Sequence, residues 1–551
     1  MQKLTKNNLL IFLFLWLLLF VIYFPAAKAG LVGDFPGWID QVSNRSFLHY
    51  INRSDSNINS LYQFTQLMTW IFYHLFGTHA WPWHVLNITM HSINGLLIFI
   101  ICKQLFTDSG IENAASISMI GVLLYCVCPH ISEVIVWEPA YHFLQGLMLI
   151  LLIMRCVQLF HHTPKTRYFI VAVVLFLVST YSLEVFYLTP FFTLTMAIYY
   201  RYALNYNKAL FRRVILYFFI PQIVLFVAHL IILRIVYPSG IAHIGELSFS
   251  MEMFFKFPEY LFHIICFGRY FPHDIKEKIY HHLESIKFLM IFYSILCIIC
   301  VYIIVKIKKM SQRARAASFM FVCLLFSMAL IIPVWLQKEF IVVADRYTYV
   351  MDVFIDMLMS VLMSFISIRF IRWNLWLVYA LINVYCTTTV VKFWKQSAVI
   401  INNLLDTFPY DASRRIVLLN LPQCLKGVPM IHSDPDGQFL LMYNMLQNKH
   451  ITTPVYDGLS FNMTSTMDGA HVTVMNDSLI HVTLNQWGTW WWYGFFGALN
   501  YENRDYKIEI KDPGHWYELI LKRPASEYLL LYMVDGQWKK VDMNHKNEDQ
   551  N

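Results

Sequence analysis

The feature that most constrains this chain is a series of about eleven apolar runs, most of them near the roughly 20 residues that one helix needs to cross a bilayer. They lie at 8–28, 84–106, 114–131, 138–160, 168–183, 185–200, 213–237, 286–305, 316–336, 348–370 and 373–391. Hydrocarbon offers backbone N–H and C=O groups no water, so a lipid-facing run of this kind must be helical. Charge density agrees: only 14% of the 551 residues are charged and 58% are hydrophobic, whereas a soluble domain carries roughly 25% charged residues. The formal net charge of +7 would hint at nucleic acid in a soluble protein. Here its placement matters more, and no nucleic-acid partner is expected.

Basic residues mark the cytoplasmic side of a membrane protein. With the N-terminus inside and the runs alternating, the inside loops hold Lys103; Lys165 and Arg167; Arg201, Lys208, Arg212 and Arg213; Lys306, Lys308, Lys309, Arg313 and Arg315; and Arg369 and Arg372. The outside loops of the bundle carry few basic residues, apart from the long one at 238–285. The first run ends at Ala27-Lys28-Ala29, which resembles a signal-peptidase site. It is long for a signal peptide, and the charge pattern closes with the helix retained, so retention is expected. The ten cysteines mostly sit inside apolar runs. The Cys297-x-x-Cys300 pair is read as small apolar packing residues rather than a redox or zinc motif.

Three outside segments are long. In 30–83, the aromatic stretch Leu61–Phe76 has the character of an amphipathic helix at the interface. In 238–285, Met251–Phe271 is apolar enough to dip into or span the bilayer, although Lys256, Glu259 and Arg269 favour the interface. From 393 onward the composition changes. Turn signals occur at Asp434-Pro435-Asp436-Gly437 and Asp512-Pro513-Gly514, and segments 470–475, 480–484, 506–510 and 517–521 alternate like strands. The expected architecture is an all-α polytopic bundle over 1–392 and a small β-rich extracytoplasmic domain over 393–551. The aromatic cluster Trp487, Trp490, Trp491, Trp492 and Tyr493 is expected to build that domain's core or anchor it at the interface, ahead of a carbohydrate contact.

Polar residues beside membrane spans are costly and therefore informative. In this topology they gather on the outer side. Asp34 and Asp40 follow the first run. His84, Asn87, His91 and Asn94 recur at helical spacing in the outer half of the second. His130, Glu133 and Glu138 lie between the third and fourth, Glu184 sits between the fifth and sixth, and Asp345 and Arg346 open the tenth. Each has a plain structural reading: solvated interface acids, interhelical hydrogen bonds for His84, Asn87 and His91, and local charge neutralisation for Glu133 and Glu184. Their shared face is what favours a common outward-facing site.

At these residues the chain resembles the type-C (GT-C) polytopic glycosyltransferases, and within them the protein O-mannosyltransferase branch that uses polyprenyl-phosphate sugars. Four segments carry the resemblance, in the family's order over 1–392: the acidic loop at Asp34; Trp83-His84-Val85-Leu86-Asn87-Ile88-Thr89-Met90-His91-Ser92-Ile93-Asn94; Pro129-His130-Ile131-Ser132-Glu133-Val134-Ile135-Val136-Trp137; and Ala344-Asp345-Arg346-Tyr347-Thr348-Tyr349. There are departures. Gln63-Phe64 stands where the family often has Arg-Pro, no lysine precedes Glu184, and no tetratricopeptide repeats follow.

The resemblance implies transfer of a sugar from a polyprenyl phosphate to an acceptor hydroxyl, on a protein or glycan, at the extracytoplasmic face. It makes Asp34 the base and adds Glu133 to the catalytic set, where with His84, His91 and His130 it could orient substrate or hold a divalent cation. Arg346, Asp345, Tyr347, His84, His91, His130 and Glu184 become the substrate-binding set. The cofactor is left unknown, with a divalent cation as one option, because the His and Glu spacings match no tight zinc motif. Without eukaryotic repeat domains, a bacterial inner membrane is the expected location. A flippase for lipid-linked saccharides is the alternative, though it would need no base and transporters often show repeats that are not seen here. A glycan ligase or polymerase is a third reading, against which the short 338–347 loop argues.

Overall fold

Helix forms in every one of the eleven apolar segments. The computed structural model describes residues 6–30, 32–33, 35–52, 61–182, 184–237, 252–271, 273–331, 345–431, 438–484, 491–492, 500–512 and 515–543. Among the described residues, six helices are long and apolar enough to cross a membrane individually: Lys6–Ala26, Ala80–Asp108, Glu138–His162, Lys208–Val236, Ile286–Lys309 and Arg369–Asp406. A seventh is added if Ala114–Cys126 and Pro129–Val136, bent by 49°, form one broken span. The other runs give helices that are shorter, or that stop at the edge of the described residues: Thr166–Ser179, Thr189–Ile198, Gln312–Ile331 and Tyr349–Met363. The protein is thus a multi-pass helical membrane protein.

Burial separates the centre of the bundle from its edge. In Glu138–His162, 78% of the apolar window is buried, against 6% in Ile286–Lys309. The latter presents Ile298 and Ile304 outward, a surface suited to lipid rather than water.

The segment between the first two long helices is helical as well. It contains Phe35–Asn44 and Gln63–Phe76, and Tyr141 Oη donates to the Thr65 carbonyl at 2.7 Å. The 251–271 segment contains the helix Glu252–Ile265, which is not among the six long apolar ones. Its Lys256 pairs with Glu259 at 3.3 Å and with Glu284, which lowers the cost of burying those charges.

The helix Arg369–Asp406 is continuous through residue 392 and leads directly into the tail. The strands there are β1 Arg415–Leu425, β2 Val428–Pro429, β3 Val455–Met463, β4 Ala470–Val474, β5 Leu479–Leu484 and β6 Trp491–Trp492. They are followed by β7 Tyr501–Glu502, β8 Tyr506–Asp512, β9 Trp516–Leu521, β10 Tyr528–Val534 and β11 Gln537–Lys540. One sheet runs β11-β10-β1-β3-β6 with β2 alongside β1, and the second runs β4-β5-β9-β8-β7. The second sheet is antiparallel and matches the alternating segments read from the sequence. The first was not anticipated in kind. β1 pairs in parallel with both β3 and β10, and the helix Gln438–Leu446 lies in the β1–β3 connection.

The β10–β11 hairpin turns on Asp535 and Gly536, both with positive φ (54° and 67°), the pattern of a two-residue type I′ turn. Its Gly536 carbonyl accepts from Asn403 Nδ2 at 2.6 Å, and Trp538 Nε1 donates to the Leu404 carbonyl at 2.7 Å, so the long helix and the sheet are joined. Residues 434–437, Pro513, Gly514, Trp487, Trp490 and Tyr493 lie outside the described residues, while Trp491 and Trp492 form β6.

Candidate functional site

The site begins at a break in a helix. Pro129 has no N–H and a fixed φ, and the chain bends there between Ala114–Cys126 and the short helix Ser132–Val136. A broken helix inside a membrane leaves carbonyls that other groups must satisfy. Thr387 Oγ1 donates to the Val127 carbonyl at 2.6 Å, and Asn87 Nδ2 reaches the Ile135 and Trp137 carbonyls at 3.2 and 3.4 Å. The break places His130, Glu133 and Trp137 on a single short segment.

Opposite it lies the turn Asp345–Thr348, which opens the helix Tyr349–Met363. The Arg346 backbone N–H donates to Glu133 Oε2 at 2.9 Å, and the guanidinium forms a charge-assisted bond to Glu133 Oε1. The same guanidinium lies over the Trp137 ring (4.6 Å to the centroid) and the Tyr347 ring (4.9 Å), contacts that suit a planar, weakly hydrated cation. Phe143 meets Tyr347 edge-on. The Glu133 side chain is 4% exposed and that of Arg346 18%, so the cation retains a path to the outside that its partner lacks.

Trp137 also contacts the loop that follows the first long helix. Its Nε1 donates to the Val32 carbonyl at 3.0 Å, and a Cβ at Gly33 would lie 3.3 Å from the same nitrogen. Gly33 has φ +64° and donates its N–H to the Met430 carbonyl at 2.8 Å, which brings the tail onto this loop. One indole ring therefore separates Gly33 from the Arg346 guanidinium. Asp34 itself lies outside the described residues. Further along the loop, burial holds the Asp40 carboxyl above its usual 3.8, offset in part by Arg45 and Asn44.

Other polar residues read from the sequence tie the surroundings together. His84 Nε2 donates to the Ala29 carbonyl at 2.5 Å. His91 Nδ1 bonds to Tyr349 Oη at 2.8 Å, and Asn94 Nδ2 donates to the Leu144 carbonyl and to Tyr349 Oη at 2.9 and 3.1 Å. Glu184 accepts from Tyr62 Oη at 2.7 and 2.8 Å, joining its turn to the Gln63–Phe76 helix. His130, Glu133, Asp345, Arg346 and Tyr347 come together; His84, His91 and Glu184 are engaged in these ties instead.

Asp345 turns the other way from Arg346. Its carboxylate meets His263 Nε2 at 3.2 Å and His130 Nδ1 at 3.7 Å, and these three residues present ligand atoms all within 4.8 Å of one another. His263 was not singled out in the sequence. It lies on the Glu252–Ile265 helix, 133 positions after His130 and 82 before Asp345, so no local spacing betrays it. Asp352 and Asp356, one turn apart on the Tyr349–Met363 helix and both buried, were also missed.

No protein-family model and no curated protein matches the chain. Among solved structures it is similar to the oligosaccharyltransferase AglB from Archaeoglobus fulgidus in complex with an inhibitory peptide and a dolichol-phosphate. That match has 13% identity and a TM-score of 0.38, over 75% of this chain and 62% of that one. It is also similar to ArnT from Cupriavidus metallidurans bound to undecaprenyl phosphate, with 11% identity and a TM-score of 0.40, over 83% of this chain and 93% of that one. The chain spans about three-fifths of the length of the AglB structures it matches.

Proposed function

We propose that the chain is a GT-C-type membrane glycosyltransferase that moves a sugar from a polyprenyl phosphate to an acceptor hydroxyl on the extracytoplasmic side, in a bacterial inner membrane with the N-terminus cytoplasmic. The observation that carries the reading is Arg346: a part-exposed guanidinium seated on Trp137 and Tyr347, oriented by Glu133, and one indole away from the residue that precedes Asp34.

In the reaction the acceptor oxygen attacks the anomeric carbon, and the bond from that carbon to the phosphate oxygen breaks. The acceptor's proton passes to a base, the role assigned to Asp34. The electron pair leaves with the polyprenyl phosphate, whose growing negative charge Arg346 stabilises through its planar fork of donors. Glu133 holds Arg346 in place. Trp137 holds the first loop at Val32 and Gly33, and Tyr347 adds an aromatic face beside the phosphate. His84, His91 and Asn94 act as positioning residues through the Ala29 carbonyl and Tyr349. The tail, which contacts the loop through Gly33, forms the side from which a protein or glycan acceptor approaches.

The test is transfer by the purified protein in nanodiscs with a panel of polyprenyl-phosphate sugars, following release of polyprenyl phosphate. Asp34→Asn is expected to abolish release while leaving binding of the lipid phosphate intact. Undiminished release by that variant would overturn the reading, as would the absence of release with every donor.

A further inference from the structure

We propose that His130, His263 and Asp345 form a binding site for one divalent transition-metal ion, Zn2+ by ligand type, which pins the turn presenting Arg346. All three residues are nearly inaccessible, at 0%, 1% and 2% exposure, and come from three separate segments. The carboxylate oxygens stand 3.2 and 3.7 Å from the facing imidazole nitrogens. Around a tetrahedral zinc with bonds of about 2.0–2.1 Å, neighbouring ligand atoms are about 3.3–3.4 Å apart. Asp345 turns one oxygen to each imidazole, and one ligand atom from each residue lies within 4.8 Å of the others, so small side-chain rotations bring the set onto a single ion.

The second observation concerns the His130 proton. Its Nε2 lies 3.2 Å from the Ile264 carbonyl, which can only accept, so Nε2 carries hydrogen. In the neutral imidazole Nδ1 then presents a lone pair. That atom is buried and without a hydrogen-bond partner among the described residues, and it points at a carboxylate oxygen. In that form two electron-rich atoms face each other at a buried position, an arrangement that a cation between them stabilises. A carbonyl that fixes the tautomer of a ligating histidine is also the usual outer support of a metal site.

Charge adds a third argument. Asp352 and Asp356 follow Asp345 on the same buried segment, and neither forms an ion pair with lysine or arginine among the described residues. Arg346 is engaged with Glu133. Two imidazoles and one carboxylate favour Zn2+ over Mg2+ or Ca2+, which prefer all-oxygen shells. The competing answer is a doubly protonated His130 paired with Asp345 and no metal at all.

The experiment separates these. The full chain is purified in detergent without chelator and its metal content measured by mass spectrometry. About one zinc per chain is expected for such a site. His263→Ala and His130→Ala, kept only if monodisperse, are expected to fall below about a tenth of that. The chelator-treated wild type is then titrated with Co2+, which reports directly on ligand geometry and requires no variant to fold. An absorption band in the visible that saturates at one equivalent supports the site. A metal-free wild type that gives no band with excess Co2+ overturns it, and so does full zinc content in monodisperse His263→Ala. Neither readout involves glycosyl transfer, so failure here leaves the proposed function standing.

Discussion

The bundle and the tail each contain a buried knot of arginine and carboxylate, and the two are built differently. In the tail, Asp505 is 0% exposed and surrounded: Arg523 at 2.8 Å, Arg415 at 3.2 Å, Arg504 at 3.3 Å and Tyr456 Oη at 2.5 Å. In the bundle, among the described residues, Arg346 pairs with Glu133 and lies on two aromatic faces, with 18% of its side chain exposed. An acid ringed by cations is closed to further ligands and serves to hold strands together. A buried-anchored guanidinium that keeps part of its side chain exposed can meet an anion from solution or from the membrane surface. Charge pairing alone does not mark a functional site; the accessible member does.

The largest effect is expected at the open knot. Arg346→Ala removes the proposed phosphate ligand and strands Glu133, which should abolish transfer and cost about 3–5 kcal/mol of stability, read as a lowered melting temperature in detergent. Arg346→Lys keeps the charge and should restore the melting temperature, but transfer should stay down by about tenfold or more because the planar fork is lost. Undiminished transfer in either variant would remove the distinction between the two knots.

At the closed knot, Asp505→Ala leaves three partly exposed arginines without their common partner. The expected cost is about 2–3 kcal/mol, with kcat unchanged at temperatures where the tail remains folded. Loss of kcat in a folded Asp505→Ala protein would make that knot part of the site.

pH offers a subtler probe of the same acid. Burial pushes the Asp505 carboxyl up, but Tyr456, Arg523, Arg504 and Arg415 outweigh it and hold the group below its usual 3.8. A depressed folded value means that its contribution to stability is fully present above 3.8 and is lost as pH falls below that through the folded value. Denaturant midpoints for the tail should therefore be flat with respect to this group above pH 5 and drop below pH 4, and the drop should vanish in Asp505→Asn. The smallest effect belongs to Gly33→Ala. An alanine at φ +64°, with its Cβ 3.3 Å from Trp137, should cost about 1 kcal/mol and raise the KM for the lipid donor a few-fold.

How much of this was legible depends on the kind of pattern. The apolar runs were readable because the bilayer imposes one length and one secondary structure. The antiparallel sheet was readable because β5 and β9 alternate buried with less buried residues. β1 and β3 were not recognised because both are buried almost throughout, and a strand covered on both faces shows no period of two. In the site, Glu133 and Arg346 could each be named from their segments, but their pairing joins positions 213 apart and is a property of the fold. His263 carried no local signal, and Trp137 was visible only as the last residue of a motif. The helix break at Pro129 was hidden inside a run that reads as one span.

The decisive quantity is the affinity for a lipid phosphate without any sugar. Binding of undecaprenyl phosphate to the protein in nanodiscs, followed by native mass spectrometry, should be saturable. It should weaken by about tenfold or more, about 1.4 kcal/mol, in Arg346→Gln, and remain unchanged in Arg523→Gln, where the lost cation belongs to the closed knot of the tail. Equal affinity of the wild type and Arg346→Gln would contradict the assignment of Arg346 as the phosphate ligand, and with it the reading of this site.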